Sequence, residues 1–253
     1  MTELMGKIAL VTGASRGIGR MTALRLANLG AAVVVHYRNS VSAADEVVTD
    51  IISRGGQAFA LRMDLSDPHG PEKLYKLMDA ELLRRYGSSE FDILVNNAGA
   101  GTRAVIEEVT EEDFDYTLSV DLKGPFFLIK YASPRLRDGG RIINVSSMGT
   151  RVAYPAMAAY APAKAALEAL TLLLAAHFGP RGITVNVVLP GATATDMNPA
   201  AKDPVQGRQL AETIALGRVG QPEDIADVIA FLATDRARWV TGQKIDTSGG
   251  QRI

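Results

Sequence analysis

A tyrosine and a lysine stand four residues apart in the segment "YAPAK", residues 160–164, within a stretch rich in alanine and leucine. Residues four apart share one face of a helix, so the phenol and the ammonium can enter the same pocket. A free phenol has a pKa of ~10, and a neighbouring ammonium lowers it by stabilising the phenolate. The pair therefore suits proton transfer, although core packing beside a solvated lysine gives the same pattern. Pro162 lacks an N–H and fits best in a first turn, which predicts a helix beginning close to Tyr160.

A glycine-rich segment, "VTGASRGIG", follows the first predicted strand and opens the first predicted helix. Gly13, Gly17 and Gly19 in this segment are spaced G-x-x-x-G-x-G. Glycine permits a tight turn and close approach of the backbone to a pyrophosphate, and the helix N-terminus beyond it offers unpaired N–H groups. A glycine triplet alone is weak evidence, but this one lies between a strand and a helix and predicts a dinucleotide site.

The end of the second predicted strand, "HYRNS", carries Arg38 and no carboxylate; the next carboxylate is Asp45, inside the following helix. An acidic residue at this point holds the ribose 2′-hydroxyl of NAD, whereas a basic one accommodates the 2′-phosphate of NADP. Arg16, inside the glycine loop, adds a second guanidinium, and planar guanidinium groups bind phosphate oxygens bidentately. Two solvated surface arginines are the alternative, but their joint position predicts NADP(H).

Short apolar runs alternate with amphipathic helical patterns along the whole chain, and no linker divides it. Near-continuous apolar runs are typical of parallel strands covered by helices on both faces. This alternation predicts one Rossmann-type, doubly wound α/β domain over residues 1–253, with ligands at the carboxyl ends of the strands. The predicted strands are residues 7–12, 31–37, 57–62, 92–97, 141–146, 183–189 and 243–246.

The composition excludes several kinds of site and partner. The 253 residues contain no cysteine and three scattered histidines, His36, His69 and His177, so thiolate chemistry is excluded and a histidine metal site is disfavoured. A net charge of −1 without a basic stripe argues against nucleic acid as a partner. No apolar run is long enough to span a bilayer, and the N-terminus lacks the layout of a signal peptide, so we expect a cytoplasmic protein with no membrane partner.

Five motifs occur together in an order and spacing that resemble the short-chain dehydrogenases/reductases: "TGASRGIG", "NNAG" (96–99), "NVSS" (144–147), "YAPAK" and "PGATATDM" (190–197). The resemblance covers essentially the whole chain and is nearest to bacterial 3-oxoacyl-carrier-protein-reductase-like members. It implies a seven-stranded parallel sheet and an NADP(H) site. The residues implied to hold the cofactor are Gly13, Ser15, Arg16, Gly17, Ile18, Gly19, Tyr37, Arg38, Asn39, Asp64, Leu65, Asn96, Ala98, Gly99, Tyr160, Lys164, Pro190, Gly191, Thr193 and Thr195.

The same resemblance implies the catalytic roles. Tyr160 is expected to be the general acid in ketone reduction, Lys164 to stabilise its phenolate and hold the nicotinamide ribose, and Ser147 to bond the substrate oxygen. The family usually carries asparagine in a "V-N-L-x-G" segment, where this chain reads "SVDLKG" with Asp121. A carboxylate near Lys164 would favour the ammonium and cancel part of its pull on the phenolate. We therefore expect an active enzyme with a shifted pH profile or modest turnover.

A substrate lid is expected over residues 197–217, and Met148, Tyr154 and Met197 are expected to line a mostly hydrophobic ketone pocket. The resemblance implies a homotetramer. The leading hypothesis is NADPH-dependent, reversible reduction of a ketone to a secondary alcohol, with a 3-oxoacyl thioester as one possible substrate. Two alternatives stay open: an NAD-linked sugar, steroid or cyclic alcohol dehydrogenase, and a non-catalytic NADP-binding regulator on the same fold.

Overall fold

The computed structural model describes residues 2–253, in which seven strands form one parallel sheet. The strand order is β3-β2-β1-β4-β5-β6-β7, which confirms the doubly wound fold expected from the sequence. Each strand lies within a few residues of its predicted position; β5 begins earlier, at Leu136, where a bulge in its pairing with β4 follows Phe91. The strands are β1 (Ile8–Val11), β2 (Ala32–Tyr37), β3 (Gln57–Arg62), β4 (Phe91–Asn96), β5 (Leu136–Val145), β6 (Thr184–Pro190) and β7 (Lys244–Thr247).

Helices cover both faces of this sheet. The α-helices of the described chain are α1 (Gly17–Asn28), α2 (Val41–Ser53), α3 (Gly70–Tyr86), α4 (Glu111–Leu118), α5 (Gly124–Ala132), α6 (Tyr160–Phe178), α7 (Pro204–Ala211) and α8 (Pro222–Ala233). Helix α6 begins at Tyr160, so Pro162 lies in its first turn as the sequence predicts. No helix in the described part of the chain is long and apolar enough to cross a membrane.

Alternate side chains of each strand enter two separate cores, because successive strand residues point to opposite faces of the sheet. Val11 and Val35 pack on one face with apolar residues of α1, α2 and α8. Leu10 and Val34, their immediate neighbours, pack on the other face with apolar residues of α3 and α5 and the end of α6. This double burial explains why the strands read as continuous apolar runs.

The crevice that positions the site opens where the strand order reverses, between β1 and β4. Thr12 lies just beyond β1, and its Oγ1 accepts hydrogen bonds from the backbone N–H groups of Asn97 and Ala98, at 2.9 and 3.0 Å. The Asn97 side chain returns a 2.8 Å bond to the carbonyl of Thr12. These bonds fix the two strand ends against each other at the place where this fold binds ligands.

Candidate active site

The glycine turn after β1 adopts conformations that favour glycine. Gly13 and Gly17 have φ values of +63° and +55°, in the left-handed region. A Cβ on Gly13 would lie 2.9 Å from the Cα of Ala98, and a Cβ on Gly19 would collide with the Gly13 carbonyl. Gly13 and Gly17 line the large cleft, but Gly19 does not. Of the three glycines, Gly19 therefore serves the packing of α1 on the turn rather than a surface open to a ligand.

His36 supports the glycine turn from below, a role that the sequence interpretation missed. Its Nδ1 accepts a hydrogen bond from the Gly13 N–H at 3.1 Å, and its Nε2 lies 3.1 Å from the carbonyl oxygen of Met63. This pattern requires a neutral ring with the proton on Nε2, because a backbone N–H can only donate. Complete burial lowers the pKa of His36 to about 4. The sequence signal for this role was the position of His36 next to the end of β2, the strand that lies beside β1 and its glycine turn.

Arg16 and Arg38 both line the cleft beyond the glycine turn. Arg38 lies over the Tyr116 ring, 5.6 Å from its centre, and donates a hydrogen bond to the Tyr116 hydroxyl. Within residues 2–253, Arg38 has no carboxylate partner, whereas Arg16 lies 3.8 Å from the exposed Asp196. The tight glycine turn fits the pyrophosphate of NADP(H). The two guanidinium groups beside the turn fit its 2′-phosphate.

The other expected cofactor residues largely share this cleft. Asp64 lines it while its Oδ1 also accepts bonds from the N–H and hydroxyl of Ser66, so the carboxylate shapes a turn and faces the crevice at once. Asn96 does not line the cleft, because its side-chain amide donates a 2.9 Å hydrogen bond to Asn144 inside the sheet; its contact with the cofactor stays a prediction. Asn97, the next residue, lines the cleft. The remaining expected residues that line the cleft are Ser15, Ile18, Tyr37, Asn39, Leu65, Ala98, Gly99, Tyr160, Lys164, Pro190, Gly191, Thr193 and Thr195.

Lys164 is fixed by a hydrogen bond and an ion pair. Its Nζ donates a hydrogen bond of 3.0 Å to the carbonyl oxygen of Val145 and lies 2.9 Å from Oδ1 of Asp121. It also lies 5.7 Å from the centre of the Tyr160 ring. A π-helical turn, Ser119–Lys123, joins α4 to α5 and aims Asp121 inward, as such turns often do at functional sites.

The charges of this cluster oppose one another. Burial raises the pKa of the Tyr160 phenol, Lys164 pulls it down, and Asp121 pushes it up again, so the net direction is upward. The downward effect of Lys164 expected from the "YAPAK" spacing is present, but burial outweighs it. Burial lowers the pKa of Lys164, but the charge of Asp121 and the nearby Tyr160 raise it above its ordinary value. Burial also raises the pKa of Asp121 against the opposing effect of Lys164.

Ser147 and two methionines form the wall around Tyr160. Ser147 Oγ accepts a 3.1 Å bond from the N–H of Gly149, which leaves its own hydrogen free to donate. Met157, which sequence reasoning missed, packs on Gly149, where a Cβ would lie 2.8 Å from its sulfur. Met197 packs on Gly101 in the same manner, with its Cγ 2.7 Å from such a Cβ. Met148 and Tyr154 also line the cleft, as expected.

The cleft as a whole has a volume of about 500 Å³ and runs from the arginines to the methionines. Among residues 2–253 no group of three or more histidine, aspartate or glutamate side chains could hold a metal ion. A phenol, an ammonium and a hydroxyl, on Tyr160, Lys164 and Ser147, all line this cleft. Such a set can donate a proton to a carbonyl oxygen and remove one from an alcohol.

Known proteins resemble this chain along almost its whole length. A family profile described as "Enoyl-(Acyl carrier protein) reductase" matches residues 13–252. The 3-oxoacyl-[acyl-carrier-protein] reductase FabG of Staphylococcus aureus is 40% identical, over 97% of this chain and 98% of the relative. The structure of the promiscuous reductase LugOII, which catalyses keto-reduction at C1 during lugdunomycin biosynthesis, is 47% identical with a TM-score of 0.95, covering 98% of each chain. The landomycin C-6 ketoreductase LanV with bound NADP and rabelomycin is 45% identical with a TM-score of 0.92, covering 99% of this chain and 98% of LanV.

Proposed function

The chain belongs to the short-chain dehydrogenase/reductase family and is an NADP(H)-dependent oxidoreductase, and we propose that it reduces a hydrophobic ketone to a secondary alcohol. The observation that carries this proposal is the convergence of Tyr160, Lys164 and Ser147 on the cleft that Arg16 and Arg38 also line. Bound NADPH supplies the hydride. The chain's own residues orient the ketone and handle the proton. The family assignment and its NADP-bound relative leave little support for a non-catalytic regulator or an NAD-linked dehydrogenase.

Tyr160 donates its phenolic proton to the ketone oxygen, and it accepts a proton from the alcohol in the reverse direction. Burial raises the pKa of this phenol and so keeps it in the protonated form that ketone reduction requires. Ser147 donates a hydrogen bond to the same oxygen, since its Oγ already accepts from Gly149. This bond orients the carbonyl beside the acid.

Lys164 stabilises the negative charge left on Tyr160 after proton transfer. An ammonium has three donors, of which Val145 and Asp121 take two, so one remains for a ribose hydroxyl of the cofactor. Asp121 holds the lysine in place but weakens its electrostatic effect on the phenol. The pair therefore sets the pH range of the reaction.

The substrate class that we favour is a fused-ring aromatic ketone. Met148, Met157, Met197 and Tyr154 line the cleft around Ser147, and thioether sulfur makes favourable contacts with aromatic rings. The similarity to LanV, whose structure holds rabelomycin, supports this class. The second candidate is a 3-oxoacyl thioester, which the 40% identity to FabG favours.

The test follows the loss of reduced-nicotinamide absorbance with NADPH against 1-tetralone, rabelomycin, a 3-oxoacyl thioester and cyclohexanone. We expect the highest kcat/KM for the fused-ring ketones. Tyr160→Phe should lose at least about a hundredfold in kcat, the usual size of an acid–base contribution, while NADPH still binds. Turnover of the thioester alone would transfer the proposal to the second candidate, and a fully active Tyr160→Phe would refute the mechanism.

A lid over residues 197–217 is part of this proposal. It contains α7, and Met197, Ala200 and Leu210 from this segment line the cleft. Val205 and Leu216 are exposed and give it an apolar surface. Movement of this segment would admit the ketone and then exclude water from the cleft.

Assembly into a homotetramer is likewise proposed. Large apolar side chains are exposed on α5 and α6 and beside β7, among them Phe126, Leu172, Leu173 and the 97% exposed Trp239. Apolar surface of this extent marks contacts between chains. Light scattering should give a tetramer mass for the native chain and a smaller mass for Phe126→Glu or Trp239→Glu. A native monomer would refute the assembly.

A further inference from the structure

Gln251, near the C-terminus, joins the loop that precedes the lid to the far end of the lid. The side chain is 2% exposed and lines the cleft. Its Oε1 accepts a 2.8 Å hydrogen bond from the N–H of Ala192, in the loop that follows β6 and leads into the lid. Its Nε2 donates 3.2 Å to the hydroxyl of Thr213, near the end of the lid.

The backbone around Gln251 reinforces the same junction. Gln251 pairs with Ile214 in an isolated antiparallel bridge, and the N–H of Arg252 donates 2.8 Å to the carbonyl of Thr213. The N–H groups of Ala215 and Leu216 donate to the carbonyls of Gly250 and Gly249. The C-terminal segment is thereby attached to the end of the lid by several hydrogen bonds.

The other side of the junction belongs to the cofactor loop, residues 190–196. A Cβ on Gly191 would lie 2.9 Å from the Gln251 side-chain oxygen, so glycine permits this close approach. The carbonyl of Ala192 also accepts a hydrogen bond from the N–H of Gly220, beyond the lid. Where the loop enters the lid, the N–H of Asn198 donates to the carbonyl of Thr195, whereas the Gln251 side chain connects Ala192 to the far end of the lid. Thr193, the next residue, lines the cleft that fits NADP(H).

Thr213 connects Gln251 to the substrate end of the cleft. Its hydroxyl donates 2.7 Å to the carbonyl of Leu210, whose side chain lines the cleft. One amide group, with its oxygen on the cofactor loop and its nitrogen on the lid, therefore connects the two binding regions.

We propose that Gln251 is a positioning residue that transmits occupation of the cofactor site to the lid, so that bound NADP(H) orders residues 197–217 and strengthens ketone binding. This inference rests on the proposed lid and ketone site. Two sites coupled through one element must affect each other's affinity by the same factor. Removing either hydrogen bond of the Gln251 side chain should bring the factor by which NADP(H) changes the affinity for the ketone closer to one.

The first test needs no turnover and therefore stays informative if the ketone assignment fails. Lys202 and Arg208 lie in the lid and are sites for trypsin. Saturating NADP⁺ should slow cleavage at these sites about tenfold in the native enzyme and less than twofold in Gln251→Leu. Calorimetry on the same samples establishes that the variant is saturated. Gln243→Leu is the matched control, since that exposed side chain donates to the Thr241 carbonyl and does not line the cleft.

Equal protection of the native enzyme and Gln251→Leu would overturn the inference. If Gln251→Leu does not fold, Thr213→Val removes the lid end of the same link and is measured in its place. In the kinetic test, Thr213→Val should raise the KM for the ketone about fivefold and leave kcat within twofold. The double variant should match Gln251→Leu alone, because one link cannot be cut twice; additive losses in KM would also refute the coupling.

Discussion

The ammonium of Lys164 lies 2.9 Å from a carboxylate oxygen of Asp121, and the two side chains are 3% and 0% exposed. Because water does not reach either group, each charge is stabilised mainly by the opposite charge of its partner. The same ammonium faces the Tyr160 ring, so the carboxylate acts on the phenol through its own charge and through the lysine. The proton-transfer group is thus tuned by a residue that does not line the cleft.

Asp121→Asn should move the pH profile of alcohol oxidation to lower pH. Asp121 contributes to the raised pKa of Tyr160, so its neutral replacement lets Lys164 stabilise the phenolate without opposition. The asparagine oxygen can still accept from the N–H of Ala100, as the carboxylate does. Oxidation at pH 7 should rise several-fold, and the profile of kcat/KM against pH measures the shift. Asp115→Asn, an exposed change of equal charge, is the control; coincident profiles for all three proteins would contradict the prediction.

His36→Asn should flatten the dependence of stability on pH between about 6.5 and 4. The pKa of His36 lies near 4 in the folded chain and near 6.5 when unfolded, so its contribution is complete above 6.5 and is lost as the pH falls towards 4. The shift corresponds to about 3 kcal/mol. Asparagine keeps an acceptor for the Gly13 N–H but does not titrate. Urea unfolding at several pH values measures the difference, with His177→Asn as the exposed control; parallel curves for native and His36→Asn would refute it.

Arg38→Ala should lower the preference for NADPH over NADH. A hydrogen bond to a charged group contributes ~1.5–3 kcal/mol, which corresponds to a loss of roughly ten- to a hundredfold in the ratio of kcat/KM values. The KM for NADH should change little, because the 2′-phosphate is the only group that the two cofactors do not share. Arg54→Ala removes an exposed arginine that pairs with Asp50 away from the cleft and should leave the ratio unchanged. Equal losses for both cofactors would show that Arg38 does not read the phosphate.

Local patterns in the sequence were sufficient for the fold and for much of the site. Strand–helix alternation identified the sheet, and the four-residue spacing of Tyr160 and Lys164 placed both on the inner face of α6. The features that the sequence did not reveal depend on contacts between segments far apart in the chain. Asn96 and Asn97 are adjacent, and only the pairing of β4 with β5 decides which of them turns inward to Asn144.

The net direction of the Tyr160 pKa shift could not be predicted from the sequence for a related reason. The sequence shows which charges stand near the phenol but not how much water is removed, and burial is the largest of the effects. His36 and Gln251 went unrecognised because their partners lie 23 and 59 residues away. Polar residues that support a site through long-range bonds carry no local spacing that would reveal them.

Lys244→Met should destabilise the protein more than the double variant that also changes Glu168 to glutamine. Glu168 lies one turn beyond Lys164 on α6 and is 3% exposed, with Oε1 accepting 2.6 Å from Ser146 and Oε2 lying 3.0 Å from the Lys244 ammonium. Removal of the lysine leaves a buried carboxylate without its counter-charge, which costs ~3–5 kcal/mol for fully buried pairs. Half of the Lys244 side chain is exposed and water screens the pair, so we expect a loss nearer ~2 kcal/mol.

The double variant Glu168→Gln/Lys244→Met removes both charges, and glutamine still offers an oxygen to Ser146. It should recover at least half of the loss in the free energy of unfolding, measured in urea. Lys76→Met breaks an exposed pair with Glu72 on α3 and should have little effect, because solvent already screens those charges. A double variant as unstable as Lys244→Met alone would mean that the lysine stem, rather than its charge, stabilises the contact between β7 and α6.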